Sequence, residues 1–373
     1  MVVFSKMPTD SRAEGICFLA AGLAGAVDAD RPAVLVEKGR VTALGSEALA
    51  LAGEVRDLSP WFLCPAPIDP HVHLYLLDKP EANLLASRAA GLAAVRDLGC
   101  KVRAPWPRPV TGGARLVAAG PGLGKAWLSQ ALCGPDDFRR AAWERVRAGA
   151  GVLKIFGTGL LDFGHPGRVE DPRNVSLEEM AAVVAVGRAA GRKVAIHANG
   201  RAAVRDALEA GVDSIEHGYF LAEEDFRRMA GQGVAWSPTL AAIQIHARDP
   251  QGRHDQTTRD NLAAIAQGQE RAMLLAVRLG VNLVLGSDAG SYCLPHGEGF
   301  FTEMASWLST GVPAPLVFQA GAAAAAEQLG LAGEIGVIKP GALACLLGVE
   351  EDPRQNPLTM SQPRWRFFPE DSC

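Results

Sequence analysis

From residue 61 to residue 286 the chain repeats one pattern, a short apolar run suited to a strand followed by a longer stretch with the period and end signals of a helix. The strand candidates are the segment leading to His71, then residues 91–98, 115–119, 152–156, 193–197, 212–216, 234–237 and 281–286. The intervening helices have legible ends. Ser176 and Glu179 fit a capping box ahead of a helix through residues 181–190, which Gly191 stops. Residues 201–210 end at Gly211 in the same way, and residues 258–279 end at Gly280. Strands alternating with helices predict an α/β fold with a parallel (β/α)8 barrel, whose reactive groups gather where the strands end. A doubly wound open sheet obeys the same alternation.

The flanks have a different texture. Residues 15–63 read as short β segments, clearest at 34–45, where two apolar runs surround a Lys38-Gly39 turn. Residues 334–347 return to short β segments with a Pro340-Gly341 turn. These ends are expected to form one small β-sandwich domain from residues 1–63 and 334–373, beside a barrel of residues 64–333. The alanine run 322–326 reads as a tightly packed helix.

Composition narrows the function classes. A net charge of −4 with no Lys/Arg run gives no nucleic-acid footprint. Seven cysteines without a C-x-x-C spacing argue against a disulfide framework and for a reducing, cytoplasmic setting. The apolar run 16–27 resembles the core of a signal peptide, but Asp10 and Glu14 balance Lys6 and Arg12 ahead of it. It is too short to span a bilayer, and a buried strand pair is the expectation.

Candidate reactive residues share one address. Side chains in a strand alternate, so His71 and His73 point the same way at the end of an apolar approach, Trp61-Phe62-Leu63. Two imidazoles on one face suit a borderline metal such as zinc. Lys154 in VLKIF, His197 in VAIHANG, His217 in SIEHG and Asp288 in LVLGSDAG also stand in or at the end of predicted strands. Taken alone, each such histidine is more simply a hydrogen-bonded core residue. Barrel geometry would bring them all to one mouth. Lys154 lies in an apolar strand, where burial penalises its ammonium and would leave a nucleophilic amine able to add carbon dioxide as a carbamate. A snorkelling or salt-bridged lysine is the plainer alternative.

Other features are weaker. The glycines at 120–124 fail as a phosphate loop, because Ala119 and Ala126 occupy positions that need Gly and Ser or Thr, so the stretch reads as a loop over the mouth. Tyr219 could aim a phenol at a substrate carboxylate or carbonyl, or simply pack. His165, His246, His254 and His296 fall in predicted loops and read as solvated. His165 and His296 are the better substrate contacts of that group, since their loops follow strands four and eight. Cys293 reads as a packed thiol.

The set D-P-H-V-H at 69–73, Lys154, His197, His217 and S-D-A-G at 287–290 resembles the amidohydrolase superfamily. G-L-A-A-V-R-D-L-G at 91–99, I-H-A-N-G at 196–200, S-I-E-H-G at 214–218 and S-P-T-L at 237–240 are similar to its imidazolonepropionase- and prolidase-like branch. The resemblance implies a distorted barrel with a binuclear centre. His71, His73 and Asp288 would hold one divalent ion, with zinc the expected metal, and His197 and His217 the other, with carboxylated Lys154 and a hydroxide bridging them. Asp288 would be the proton-transfer residue. Branches lacking the strand-four lysine tend to be mononuclear deaminases, so Lys154 favours a two-metal hydrolase.

The chain departs from the usual pattern in three places. Its first barrel loop and helix are short, G-P-G-L-G-K-A-W at 120–127 stands where many relatives carry Gly-Gly-His, and Ala344-Cys345-Leu346 stands where Ala-Asp-Leu is usual. The first two lie near the expected substrate pocket. The resulting expectation is a metallohydrolase acting on a small-molecule amide, with no nucleic-acid or membrane partner and a homo-oligomer as the default assembly. A cyclic amide or lactone hydrolase, a mononuclear deaminase and a non-catalytic barrel remain as rivals.

Overall fold

The computed structural model describes residues 15–76, 79–99, 106–125 and 130–369, so the first part of the expected terminal β unit and the Ala126-Trp127 end of the glycine-rich stretch lie outside the described residues. The fold is α/β. One parallel sheet runs, in spatial order, Gln130–Ala131, Leu123–Gly124, Val152–Phe156, Lys193–Ala198, Ser214–His217, Ala235–Ser237 and Asn282–Leu283. A second parallel sheet is formed by Ile68–Val72, Ala94–Asp97 and Arg115–Ala118. The strands Val152–Phe156, Ala94–Asp97 and Ser214–His217 are buried at every position, as parallel strands covered on both faces require.

Backbone hydrogen bonds link the two sheets at two places. On one side Val72 bridges to Ala289 in parallel, with Asp288 N donating to His71 O and His73 N donating to Ala289 O, each at 2.8 Å. On the other, Gly151 N donates to Ala118 O at 3.0 Å. The candidate strand at 281–286 keeps ladder pairing only over Asn282–Leu283, because the chain beyond it leaves that ladder for the Ile68–Val72 strand. Leu123–Gly124, expected in a loop, pairs with Ile155 instead.

The helices follow their signals closely. Leu177–Ala190 carries the Ser176–Glu179 capping box and ends on Gly191 at φ 63°. Arg201–Ala210 ends on Gly211. Gln256–Arg278 begins two residues before the expected start, because Asp255 accepts from Thr258 N at 2.7 Å and caps it. His246, expected in a loop, lies on the helix Leu240–Arg248. Among the described residues no helix is long and apolar enough to cross a membrane.

Two further four-stranded sheets lie outside the parallel ones. One is built from Arg40–Leu44, Ala33–Glu37, Ile16–Leu19 and Glu54–Asp57, so the apolar run near the start contributes a strand that is half buried at its ends and fully buried within. The other joins Trp365–Phe367, Leu346–Val349, Phe62–Pro65 and Gly22–Leu23, strands from both ends of the chain. The approach Trp61-Phe62-Leu63 therefore belongs mainly to this sheet and not to the His71 strand, which starts afresh at Ile68 after Pro65 and Pro67. Proline cannot donate to a ladder, so a Pro-x-Pro break is where one sheet hands the chain to the next. Phe18, Val34, Leu63, Ile338 and Leu346 share one apolar cluster, against which Trp365 packs with its ring centroid 4.7 Å from that of Phe18.

Leu63 is fully buried and lies between strands from the two ends of the chain. Leu63→Ala should lower stability by roughly 2–5 kcal/mol through lost burial and a residual cavity. A urea melt of the two proteins measures it, and a cost below about 1 kcal/mol would mean that the two ends do not share a core.

Candidate metal centre

Imidazole rings run in sequence through the interior where the parallel strands end. Ring centroids are 5.3 Å apart for His73 and His71, 5.0 Å for His71 and His217, and 4.5 Å for His217 and His197. His71 lies within Ile68–Val72 and His73 just beyond it, while His197 and His217 stand at the ends of Lys193–Ala198 and Ser214–His217. Asp288 arrives from the segment that crosses to the first strand. Its Oδ1 is 3.4 Å from His71 Nε2 and 3.3 Å from His73 Nε2. One ligand atom from each of His71, His73 and Asp288 lies within 4.8 Å of the others. Lys154, in the middle of its strand, is 2% exposed.

Each imidazole has one nitrogen committed away from this cluster. His73 Nδ1 is 3.1 Å from Gly99 O and His197 Nε2 is 3.1 Å from Gly159 O. A carbonyl only accepts, so those nitrogens carry the protons, and the lone pairs fall on His73 Nε2 and His197 Nδ1. His71 Nδ1 donates to Glu216 Oε2 at 2.8 Å, and His217 Nδ1 pairs with Thr239 Oγ1 at 2.7 Å. His71 Nε2 is thereby left as a lone-pair nitrogen, fully buried and without a hydrogen bond. A buried acceptor next to a second such nitrogen and a carboxylate oxygen is costly unless a cation joins them. The donor set fits a divalent ion of the zinc or manganese type.

The electrostatics agree with this fit. Burial, and then the charge of Lys154, bring His197 down to about 3, and burial and the neighbouring histidines hold His217 well below the usual histidine range. Both rings are therefore neutral, the form a metal ligand requires. Burial lowers the Lys154 amine to about 8, against the opposing pull of Glu216. His73 differs: burial pulls it down, but the hydrogen bond and charge of Asp288 at Nε2 pull up harder, so this ring would have to give up a proton there to serve as a ligand.

The backbone is bent to make these contacts. His217, Thr239 and Asp288 all sit in the left-handed region, at φ 68°, 48° and 59°, where residues with a Cβ are rare. Gly286 and Gly290 flank Asp288. A Cβ on Gly286 would stand 2.6 Å from His71 Cβ, and one on Gly290, at φ 97°, would stand 2.3 Å from His73 O. Only glycine lets the aspartate segment lie this close to the histidine strand.

Over the centre lies a cavity of about 270 Å³. Its inner end is formed by His73, His197, His217 and Asp288, and Tyr219 lines it with its ring stacked parallel to His217. Its walls include Phe156, Leu160, Leu161, Phe163 and Ile243. Neither His165 nor His296 lines it. The turn between Leu161 and Val169 carries His165 outward, where it is 70% exposed and bonded to Asp162. His296 is buried next to Gly290 and the backbone of His73. His246, expected in solvent, forms part of the cavity wall.

Residues 62–371 match the model of the Amidohydrolase family. The chain belongs to that family. A curated ochratoxinase of Aspergillus niger is 27% identical over 246 residues, covering 64% of this chain and 49% of that protein. The chain thus spans about half the length of the ochratoxinases it matches. An uncharacterised protein of Mycobacterium tuberculosis is 27% identical over 335 residues, covering 86% of this chain and 87% of its own. Among solved structures, a Xaa-Pro dipeptidase with methionine bound in its active site superposes with a TM-score of 0.79 at 21% identity, covering 95% of this chain and 98% of the other. The A. niger ochratoxinase superposes with a TM-score of 0.79 at 20% identity, covering 96% and 95%. These superpositions establish the likeness of fold.

In this amidohydrolase-family chain, sequence reasoning gave no role to the groups that hold the histidines. Glu216 accepts from His71, from Arg96 Nη2 at 3.0 Å and from Ser214 Oγ at 2.6 Å, and Arg96 Nε donates to Pro70 O at 2.6 Å. Glu216 and Arg96 are both essentially inaccessible. Burial raises the Glu216 carboxyl, but the Arg96 and His71 charges overcome it and hold it below the carboxylate range. The signal was present, since an arginine and a glutamate each interrupt an apolar strand, and buried charges need partners.

Glu216→Gln keeps the shape but removes the charge facing both Arg96 and His71. We expect metal affinity to fall by roughly 10–100-fold, the usual cost of losing a partner behind a ligating histidine. Stability should drop by about 3–5 kcal/mol as Arg96 loses its counter-ion. Competition against a chromophoric chelator and a denaturant melt measure the two, and unchanged affinity would detach Glu216 from the centre.

Proposed function

We propose that the protein is a metal-dependent hydrolase that cleaves an amide C–N bond in a small peptide, an N-acyl amino acid or a related compound. The observation that carries this reading is the convergence of His73, His197, His217 and Asp288 on one cavity, with His71 buried beside Asp288 and His73, and Lys154 buried in the adjoining strand. The family match and the prolidase and ochratoxinase neighbours support a reaction at carbon–nitrogen bonds. The parallel sheets would close as a distorted (β/α)8 barrel of residues 64–333, with residues 1–63 and 334–373 as a composite β-sandwich domain. We further propose a cytoplasmic, homo-oligomeric enzyme with a small-molecule substrate and neither nucleic acid nor membrane as partner.

His71, His73 and Asp288 would hold one divalent ion and His197 and His217 a second. Zinc is the ion this nitrogen and oxygen donor set suits best. When bound, such ions supply a water of lowered pKa and a Lewis acid for the scissile carbonyl. The Lys154 ammonium, its proton loosened by burial, would shed that proton, and the free amine would then add carbon dioxide and lose a second proton to solvent. The resulting carbamate would be an anionic oxygen donor beside the histidines.

The remaining steps belong to the chain. Asp288 takes the proton released as water attacks and hands it to the departing amine, so the products leave as a carboxylic acid and a free amine. Tyr219, whose hydroxyl contacts Thr239, faces the cavity and orients the carbonyl or carboxylate of the substrate. The apolar walls exclude bulk water and strengthen each of these polar contacts.

The test combines metal analysis with amide hydrolysis. Purified protein should carry divalent metal, lose turnover of a dipeptide and N-acyl amino acid panel on chelation, and regain it when zinc or manganese is restored. Asp288→Asn should retain metal and lose at least ~100-fold in kcat, the scale of a proton-transfer residue. Unchanged turnover in that variant removes Asp288 from this role, and ammonia as the sole amine product would turn the reading toward deamination.

A further inference from the structure

The chemistry above leaves one ring-bearing wall of the cavity without a task. His246, on the helix Leu240–Arg248, lines the same cavity as Asp288 and three histidines of the centre. Its ring stacks on Tyr292 with centroids 4.8 Å apart and planes 30° apart, and Phe163 lies 5.1 Å from it. His246 Nδ1 is 3.1 Å from His254 Nε2, and Phe163 meets the His254 ring edge-on at 5.7 Å.

These rings are held from behind. The Tyr292 hydroxyl donates to Asp249 Oδ1 at 2.8 Å and accepts from Gln251 N at 3.1 Å, and the Arg253 guanidinium covers the Tyr292 ring at 4.4 Å. Asn261 Nδ2 donates to Phe163 O at 3.1 Å and to Gly164 O at 3.2 Å, which fixes the turn that presents Phe163. Segments far apart in the chain thus deliver rings already in place, so a ligand pays little ordering cost to meet them.

We propose that this end of the cavity is a binding subsite for an uncharged aromatic group, with Phe163 and His246 as the ring faces that receive it. The assignment rests on the hydrolytic reading in placing that group on one side of the scissile amide, whose carbonyl would lie at the inner end among His73, His217 and Asp288. Aromatic rings favour offset or edge-on partners with centroids about 4.5–7 Å apart, a geometry a saturated ring cannot exploit. The group is uncharged for two reasons. Leu161 and Ile243, both buried, line the same cavity, and a charge set against them would lose water. Burial, together with His254 and Arg253, brings His246 down to about 4, so at neutral pH it is no counter-ion.

The test uses the full chain as purified, with two alcohols of the same span, 2-naphthol and decahydro-2-naphthol, titrated calorimetrically. Wild type should bind the aromatic alcohol about tenfold tighter. Phe163→Leu and His246→Leu should each cut that preference below about threefold, with metal content and melting temperature unchanged. Equal affinity for the two alcohols overturns the subsite, as does a preference that both variants leave intact. Hydrolysis supplies the second arm. N-(2-naphthoyl)glycine or N-acetyl-2-naphthylamine, carrying the ring on the acyl or the amine side, should exceed N-acetylglycine at least tenfold in kcat/KM. A protein that cleaves N-acetylglycine as readily as both overturns the subsite and leaves the hydrolase standing. One that discriminates between the alcohols but cleaves no amide keeps the subsite and overturns the hydrolase.

Discussion

A clasp between Asp69 and Ser287 decides where every other group of the centre can stand. Asp69 Oδ2 accepts from Ser287 Oγ at 2.5 Å, and Oδ1 accepts from Ser287 N at 3.1 Å and His71 N at 3.2 Å. The carboxyl is fully buried, and burial pushes it up to about 7 despite those bonds. The clasp pins the last strand segment to the first, which puts Asp288 one residue from Ser287 and two histidines within reach of it. Gly286 and Gly290 remove the side-chain bulk that would otherwise hold the two segments apart. The D-P-H and S-D-A-G motifs are thus two halves of one contact.

Around that contact the fold concentrates charge in a place with almost no water, and it does so in compensated groups. Glu216 answers Arg96 and accepts a hydrogen bond from His71, so the carboxylate and the guanidinium neutralise one another and the neutral ring is held in place. Asp97 accepts from Leu74 N at 2.9 Å and feels the His73 and Lys154 charges, though burial raises it to about 6. Such networks are poor sources of stability compared with apolar packing, because desolvation consumes most of the Coulomb gain. Their use is to hold geometry. The left-handed backbone at His217, Thr239 and Asp288 points the same way, since strain of about 1–3 kcal/mol per residue persists only where the surroundings over-determine the conformation.

Much of this was legible because the signals are local. A capping box, a glycine stop or an apolar strand is written within a few adjacent residues, and Leu177–Ala190 and Val152–Phe156 fall where their residues place them. Histidines at strand ends become neighbours once parallel strands share a direction, so the cluster needed only the alternation and the residue types. What failed was non-local. Trp61-Phe62-Leu63 looks like the approach to His71, yet its pairing partners lie near residue 347 and residue 22, which no short window contains. Glu216 and Arg96 were visible as charges in apolar strands, but which of them meets His71 depends on the spatial order of strands. His165 and His296 follow the right strands and still miss the cavity, because a tight turn sends one outward and the other is buried against Gly290.

The centre and the cavity wall therefore obey different rules. The centre is built on strand ends, where the ladder fixes each side chain and little freedom remains. The wall is built from the turn carrying Phe163, the helix carrying His246 and the loop carrying Tyr292, all beyond the strands. Loops tolerate change that strands do not, so chemistry and selectivity can vary separately on such a scaffold. This explains why motifs identify the class of reaction and stop short of the substrate. The rings of the wall are separated by long stretches of chain and share no spacing, and they acquire a common purpose only because three loops rise from the same end of one set of strands.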